Sequence, residues 1–224
     1  MTHIHIDKFF EEELRELKEA ILKMGSLVED MIDRSMRSLM DRNGAIAEEV
    51  IRRDYDVDQQ EMDIDELCAQ LLALRQPAAS DLRFIIVGLK ITKDLERMGD
   101  LAVNVSEESL ELLKEPMLKP FVKLPMMGEK TRAMIKEALD AFVARDAERA
   151  EAVLRQDDDV DELNGRIRAE LIEVMKQDAA NISRGMHRIT VARHYERMAD
   201  HATNIAEEVI YMVKGRDIRH GRGS

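Results

Sequence analysis

The sequence predicts an all-α protein: a tandem repeat of two three-helix bundles, six long antiparallel helices related by a pseudo-two-fold axis. Three observations carry that expectation. Gly and Pro are scarce, at 10 and 4 of 224 residues, charged residues reach 36%, and aromatics stay at 4% with no Trp. That is the composition of long helices and not of sheets. Apolar residues recur in alternating steps of four and three, as in Phe10, Leu14, Leu17, Ile21, Met24, Val28 and Met31, which places them along one face of a helix. And the chain repeats itself: Glu96-Arg97-Met98-Gly99-Asp100 returns 100 residues later as Glu196-Arg197-Met198-Ala199-Asp200, and Ala102, Asn104, Glu107 and Glu108 return as Ala202, Asn204, Glu207 and Glu208. Self-similarity at a fixed offset marks a repeated structural unit.

Each element follows from stripe and punctuation. The first helix is expected over residues 7–41, stopping at the turn pair Asn43-Gly44. The second resumes near Ala45 on the stripe Val50, Asp54, Val57, Glu61, Ile64, Cys68, Leu71 and ends before Pro77. The third starts within Ala78-Ala79-Ser80-Asp81, where small polar residues can cap it, and runs to about Lys114 on the stripe Ile91, Leu95, Met98, Ala102, Val105. Pro116, Pro120 and Pro125 then interrupt the pattern, because proline cannot continue a helix interior. Beyond them Met31-Ile32 aligns with Met134-Ile135, Asn43 with Asp146, and Arg52-Arg53-Asp54-Tyr55-Asp56-Val57-Asp58 with Arg155-Gln156-Asp157-Asp158-Asp159-Val160-Asp161, all at an offset of 103. The drop from 103 to 100 implies a shorter connection between the last two helices. The second half therefore reads as helices over 126–144, 147–177 and 181–214. The expected organisation is a first repeat over 1–115, a proline-rich linker over 116–125, a second repeat over 126–214, and a basic, frayed tail over 215–224.

The repeated acids are the candidate site. Glu96, Asp100 and Asn104 lie four residues apart and share one face of the third helix, as Glu196, Asp200 and Asn204 do on the sixth. Asp54 and Asp58 share a face of the second helix, and Asp157 and Asp161 of the fifth. If consecutive helices are neighbours, four carboxylates converge in each half. Side-by-side carboxylates repel and cannot all ionise without compensation. A hard cation supplies it, and all-oxygen ligands favour Mg, Mn or Fe, with Ca or Zn behind. A structural ion-pair network with Arg52, Arg97, Arg155 and Arg197 gives the same pattern. Given 100° per residue, the third-helix acids point away from the apolar stripe, so the expected site is shallow and open at the surface. His187, His194 and His201 share a face at heptad spacing, but Val87, Asp94 and Leu101 stand at the matching places of the first half. They read as structural or surface residues, with a ligand or partner role as the alternative.

Composition bounds the rest. A net charge of −12 disfavours nucleic-acid binding, which needs a basic footprint, and suits cations or a basic partner. A single cysteine, Cys68, gives no disulfide or cysteine-based zinc site and fits a reducing cytosol. No run reaches the roughly 18 apolar residues of a membrane span, and Met1-Thr2-His3-Ile4-His5-Ile6-Asp7 lacks the apolar region of a signal peptide. There is no phosphate-cradling glycine loop and no nucleophile elbow, so no reaction is indicated. The expectation is a cytoplasmic, non-enzymatic protein without membrane insertion.

Pro77-x-x-x-Asp81-Leu82-Arg83, Glu96-Arg97-Met98-x-Asp100-x-Ala102-x-Asn104, the second-half run from Glu196 to Glu208, and Tyr211-x-x-x-Gly215-Arg216-Asp217-x-Arg219-His220 together resemble the PhoU family over nearly the whole chain. The resemblance implies an α-helical negative regulator of the phosphate-starvation response. Such a protein links the ATPase subunit of the phosphate ABC transporter to a phosphate-sensing histidine kinase, and here a homodimer is expected. It also implies metal clusters at acidic motifs that map onto Asp54/Asp58, Glu96/Asp100, Asp157/Asp161 and Glu196/Asp200, to which helix geometry adds Asn104 and Asn204. The second half has no counterpart to Pro77 or to Asp81-Leu82-Arg83, with Ile182-Ser183-Arg184 standing nearby, which leaves the equivalence of the two sites open. The alternatives are a metal-storage or metal-dependent hydrolytic helical protein, and a purely structural scaffold.

Overall fold

In the computed structural model, residues 2–118 and 123–215 are described, with side chains from Phe9 onward. Six long helices account for almost all of them: α1 (Thr2–Met40), α2 (Gly44–Arg75), α3 (Ala79–Leu113), α4 (Lys123–Ala144), α5 (Ala147–Gln177) and α6 (Ile182–Lys214), with one 3₁₀ turn over Ala179–Asn181 before α6. The expected basic tail lies outside the described residues from 216 onward, as do linker residues 119–122.

The helix ends follow from local chemistry. Asn43 caps α2 by accepting from Ala45 N at 3.1 Å. Asp146, its counterpart, caps α5 by accepting from Glu148 N and Arg149 N at 3.0 Å. The residue before each cap is left-handed, Arg42 at φ 50 and Arg145 at φ 51, so the two repeats turn the same corner the same way. Gly215, at φ 65, closes α6 with its N–H on Tyr211 O at 2.8 Å. Two expectations change. The third helix carries no side-chain cap, since Ala78 occupies that place. The fourth helix begins at Lys123, three residues early, because Pro125 falls in its first turn, where a proline removes no intrahelical bond.

Within each half the three helices pack on one another, α1 with α2 and α3, and α4 with α5 and α6. The halves meet like on like: α1 against α4 and α3 against α6. The α1–α4 contact is reciprocal. A Cβ on Gly25 would stand 2.5 Å from Leu139 Cδ1, and a Cβ on Gly128 would stand 2.5 Å from Met36 Cε. Gly128 is the counterpart of Gly25, and Leu139 of Met36, at the offset of 103. These swapped contacts are the mark of a two-fold relation, and the absence of side chains at Gly25 and Gly128 is what lets two backbones approach. One apolar core runs through both halves, and each fully buried Leu, Ile or Met in it contributes about 1.5–3 kcal/mol relative to exposure. Tyr195 is fully buried where three helices meet. Its hydroxyl lies 3.2 Å from Ser35 Oγ on α1, and its carbonyl accepts from Thr131 on α4 at 3.3 Å, so the polar atoms of this buried residue are satisfied.

Candidate functional site

The α2–α3 seam brings the first set of acids together. Gly99 sits on α3 where a Cβ would meet Val57 Cγ1 at 3.3 Å, so the two helices close tightly beside Asp58 and Asp100. Carboxylate oxygens of Asp58, Glu61 and Glu96 all lie within 4.8 Å of one another. Among the described residues no other group of three potential ligands comes so close. Asp54 is half-buried one turn away. Burial, then the charges of Asp58, Asp100 and Glu96, push its carboxyl up to about 6. All four acids named from the sequence in the first half therefore share one electrostatic neighbourhood.

The site is less open than helical phase suggests. Side-chain exposure is 12% for Glu96 and 40% for Asp100. The reason is that α3 contacts α1, α2 and α6 together, so the face opposite its apolar stripe is roofed by α2 instead of water. Burial accordingly raises the Glu96 carboxyl, with Lys93 opposing it.

Two residues of the site were missed. Glu61 stands on the α2 stripe three residues after Asp58, and its signal was an acid in an apolar register facing α3. Asn164 occupies its place in the second half, so the repeat comparison passed over it. Lys93 is the other. Its Nζ lies 3.0 Å from Glu61 and 3.2 Å from Glu96. Arg97 adds contacts to Asp100 at 3.0 Å and Glu96 at 3.4 Å. Arg52 instead faces Glu48 at 4.0 Å.

The second half is related but looser. Partial burial, and then the charge of Asp161, raises the Asp200 carboxyl, with His201 and Arg197 opposing. Asp161 and Asp200 are exposed, and Asp157 and Glu196 are half-buried. Asn204 donates to Asp94 Oδ1 on α3 at 3.3 Å, so it serves the seam between the halves. Asn104 is half-buried one turn beyond Asp100. The histidines also work at that seam. His201 Nδ1 pairs with Asp94 at 2.8 Å, His187 pairs with Glu108, and Lys90 pairs with Glu208 at 2.9 Å. His194 is half-buried beside them, and burial lowers its pKa.

Chemically, the first-half donor set is all oxygen, partly desolvated and in excess of its counter-ions. That fits a hard, oxygen-preferring cation, provided Lys93 moves aside. It holds no nucleophile beside a base.

Fold and site define a class: a duplicated three-helix bundle whose halves are joined helix to like helix and which carries an acidic seam in each. The family model described as "PhoU domain" matches residues 21–109 and again 124–209. The chain is 44% identical over 208 residues to the phosphate-specific transport system accessory protein PhoU homolog of Aquifex aeolicus, covering 93% of this chain and 94% of that protein. The crystal structure of PhoU from Pseudomonas aeruginosa superposes with a TM-score of 0.89 at 40% identity, covering 92% of this chain and all of that one, at 100%. That of the phosphate transport system regulatory protein PhoU from Streptococcus pneumoniae gives 0.87 at 33% identity, covering 93% and 98%. The chain belongs to the PhoU family.

Proposed function

We propose that this protein is a regulatory adaptor of phosphate homeostasis that keeps the phosphate-starvation response off when phosphate is plentiful. It does so by coupling the ATPase subunit of the phosphate ABC transporter to a sensor histidine kinase. The observation that carries this reading is that both repeats, and nearly the full length, match relatives named as accessory and regulatory proteins of phosphate transport. The protein acts by binding and not by catalysis, because carboxylates without a positioned nucleophile or base suit a ligand-gated surface. It works in the cytoplasm as a homodimer; among the described residues no helix is long and apolar enough to cross a membrane.

Each repeat takes a divalent or trivalent cation, Mg, Mn or Fe. In the first half Asp54, Asp58, Glu61, Glu96 and Asp100 would hold it with Asn104; in the second Asp157, Asp161, Glu196 and Asp200 with Asn204, more weakly, since Asn164 replaces an acid. The ion supplies charge compensation that ties α2 to α3 and α5 to α6. A second reading has support of its own: Lys93 and Arg97 already meet Glu61, Glu96 and Asp100, as a metal-free structural network would require. Metal analysis of protein purified without chelator separates the two. Mg, Mn or Fe should be present and fall with Asp100→Ala plus Asp200→Ala; none at millimolar Mg or Mn leaves the network. The adaptor reading is tested by co-purification from phosphate-replete cells, where the transporter ATPase or the kinase should be recovered, and recovery of neither contradicts it.

A further inference from the structure

A pocket of about 240 Å³ opens between α1, α3 and the turn from α4 to α5, away from both acidic seams. Its floor is apolar: Leu14, Val143 and the stacked pair Phe84 and Phe142, whose ring centroids lie 5.4 Å apart. Its rim is cationic, with Arg15, Lys18 and Arg145, and none of its lining residues is acidic. In a chain of net charge −12 that is a local reversal of sign.

Arg145 is the informative residue. Its counterpart Arg42 takes the same left-handed backbone, a conformation that costs a non-glycine residue about 1 kcal/mol. Arg42 puts that geometry to use, donating to Leu113 O at 3.1 Å and Glu115 O at 2.8 Å. The pocket equivalent by repeat, beside Leu39 and Arg42, is filled by Pro116, Met117 and Leu118, which leave only about 10 Å³. In the second half the described lining residues leave about 240 Å³. Among the described residues the Arg145 guanidinium makes no ion pair or hydrogen bond, and it lies over the Phe84 ring at 5.2 Å from its centroid. Stacked that way, its N–H edge remains available to an acceptor. Lys18 spends one donor on Val143 O at 3.0 Å and has two left, and Arg15 is shared with Glu12 and Glu19.

We propose that this pocket binds a small organic oxyanion, a carboxylate or phosphate monoester on an apolar body, with the oxyanion on Arg145 and Lys18 and the body on Phe84, Leu14 and Val143. The proposal does not depend on the adaptor reading or on the metal sites. The open volume suits a ligand the size of one substituted ring, smaller than the roughly 300–1,000 Å³ of drug-sized sites.

Calorimetric titration of the full chain tests it. Phenyl phosphate and benzoate are the two oxyanion probes, with inorganic phosphate and phenol as the head and the body alone. One phenyl phosphate or benzoate per chain is expected, at least about tenfold tighter than phosphate, which has no ring to bury, and than phenol, which lacks the charge-assisted hydrogen bond. Whichever of the two binds tighter names the head group. Arg145→Gly should weaken binding by about tenfold or more while the protein still melts cooperatively, because glycine takes the left-handed backbone without strain. Arg42→Gly should leave binding unchanged. The proposal is overturned if neither aromatic anion binds, if inorganic phosphate binds as tightly as they do, or if Arg145→Gly binds like the wild type.

Discussion

Lys93 Nζ stands 3.0 Å from Glu61 Oε1 on the neighbouring helix, so a cation of the chain's own already occupies the tightest carboxylate group. At that exposure such a pair is worth about 0.2–1 kcal/mol, and an arriving metal ion must displace it. Lys93→Met should therefore tighten Mn binding to the first half by about two- to fivefold, read by calorimetry on protein carrying Asp200→Ala to silence the second half. Unchanged or weaker binding would show that Lys93 does not compete with the ion.

Asp54 provides a pH test. Its folded pKa, raised to about 6, lies above the ordinary aspartate value of 3.8, so the folded state holds this proton more tightly than the unfolded chain. Protonation therefore stabilises: the ionised group costs stability at neutral pH, and the cost fades as pH falls from about 6 towards 4. Solvent screening reduces it to on the order of 1 kcal/mol. In chelator-containing buffer, Asp54→Asn should raise the urea midpoint at pH 7.5, and the gain should shrink at pH 5. A variant that is destabilised at pH 7.5 contradicts the burial argument.

The paired caps should differ in weight. Asp146 accepts two backbone N–H groups and Asn43 one. Asp146→Ala and Asn43→Ala should each cost about 1 kcal/mol, with Asp146→Ala the larger loss in urea unfolding. The reverse order would mean that the two corners are not held as described.

Glycines separate packing from propensity. Gly165 is exposed in the middle of α5 with nothing within 4 Å of a Cβ, so Gly165→Ala should stabilise by up to about 1 kcal/mol. Gly25→Ala should destabilise by a similar amount, because its Cβ would press on the buried Leu139 and overpacking outweighs the helix gain. Equal effects of the two substitutions would contradict the α1–α4 contact.

Much of the fold is written in local pattern. The stripes, the Asn43 and Asp146 corners and the offset repeats need no knowledge of neighbours, and they yield six helices in two like halves. Pro77 likewise marks the end of α2. What escaped depends on tertiary context. Glu96 reads as a surface residue from α3 alone and is covered because α2 lies on that face. Glu61 reads as an acid lost in an apolar stripe until Glu96 is opposite it. Lys93 reads as helix surface until it reaches across to Glu61. The like-on-like joining of the halves rests on Gly25 and Gly128, whose meaning appears only when Leu139 and Met36 stand over them.

The most direct test of the central claim is the transcript level of phosphate-uptake genes in cells lacking this protein, grown in abundant phosphate. Constitutive high expression, restored to repression by the wild-type gene, is the expected result. Expression that stays repressed without the protein would contradict its assignment as the regulator that holds the starvation response off.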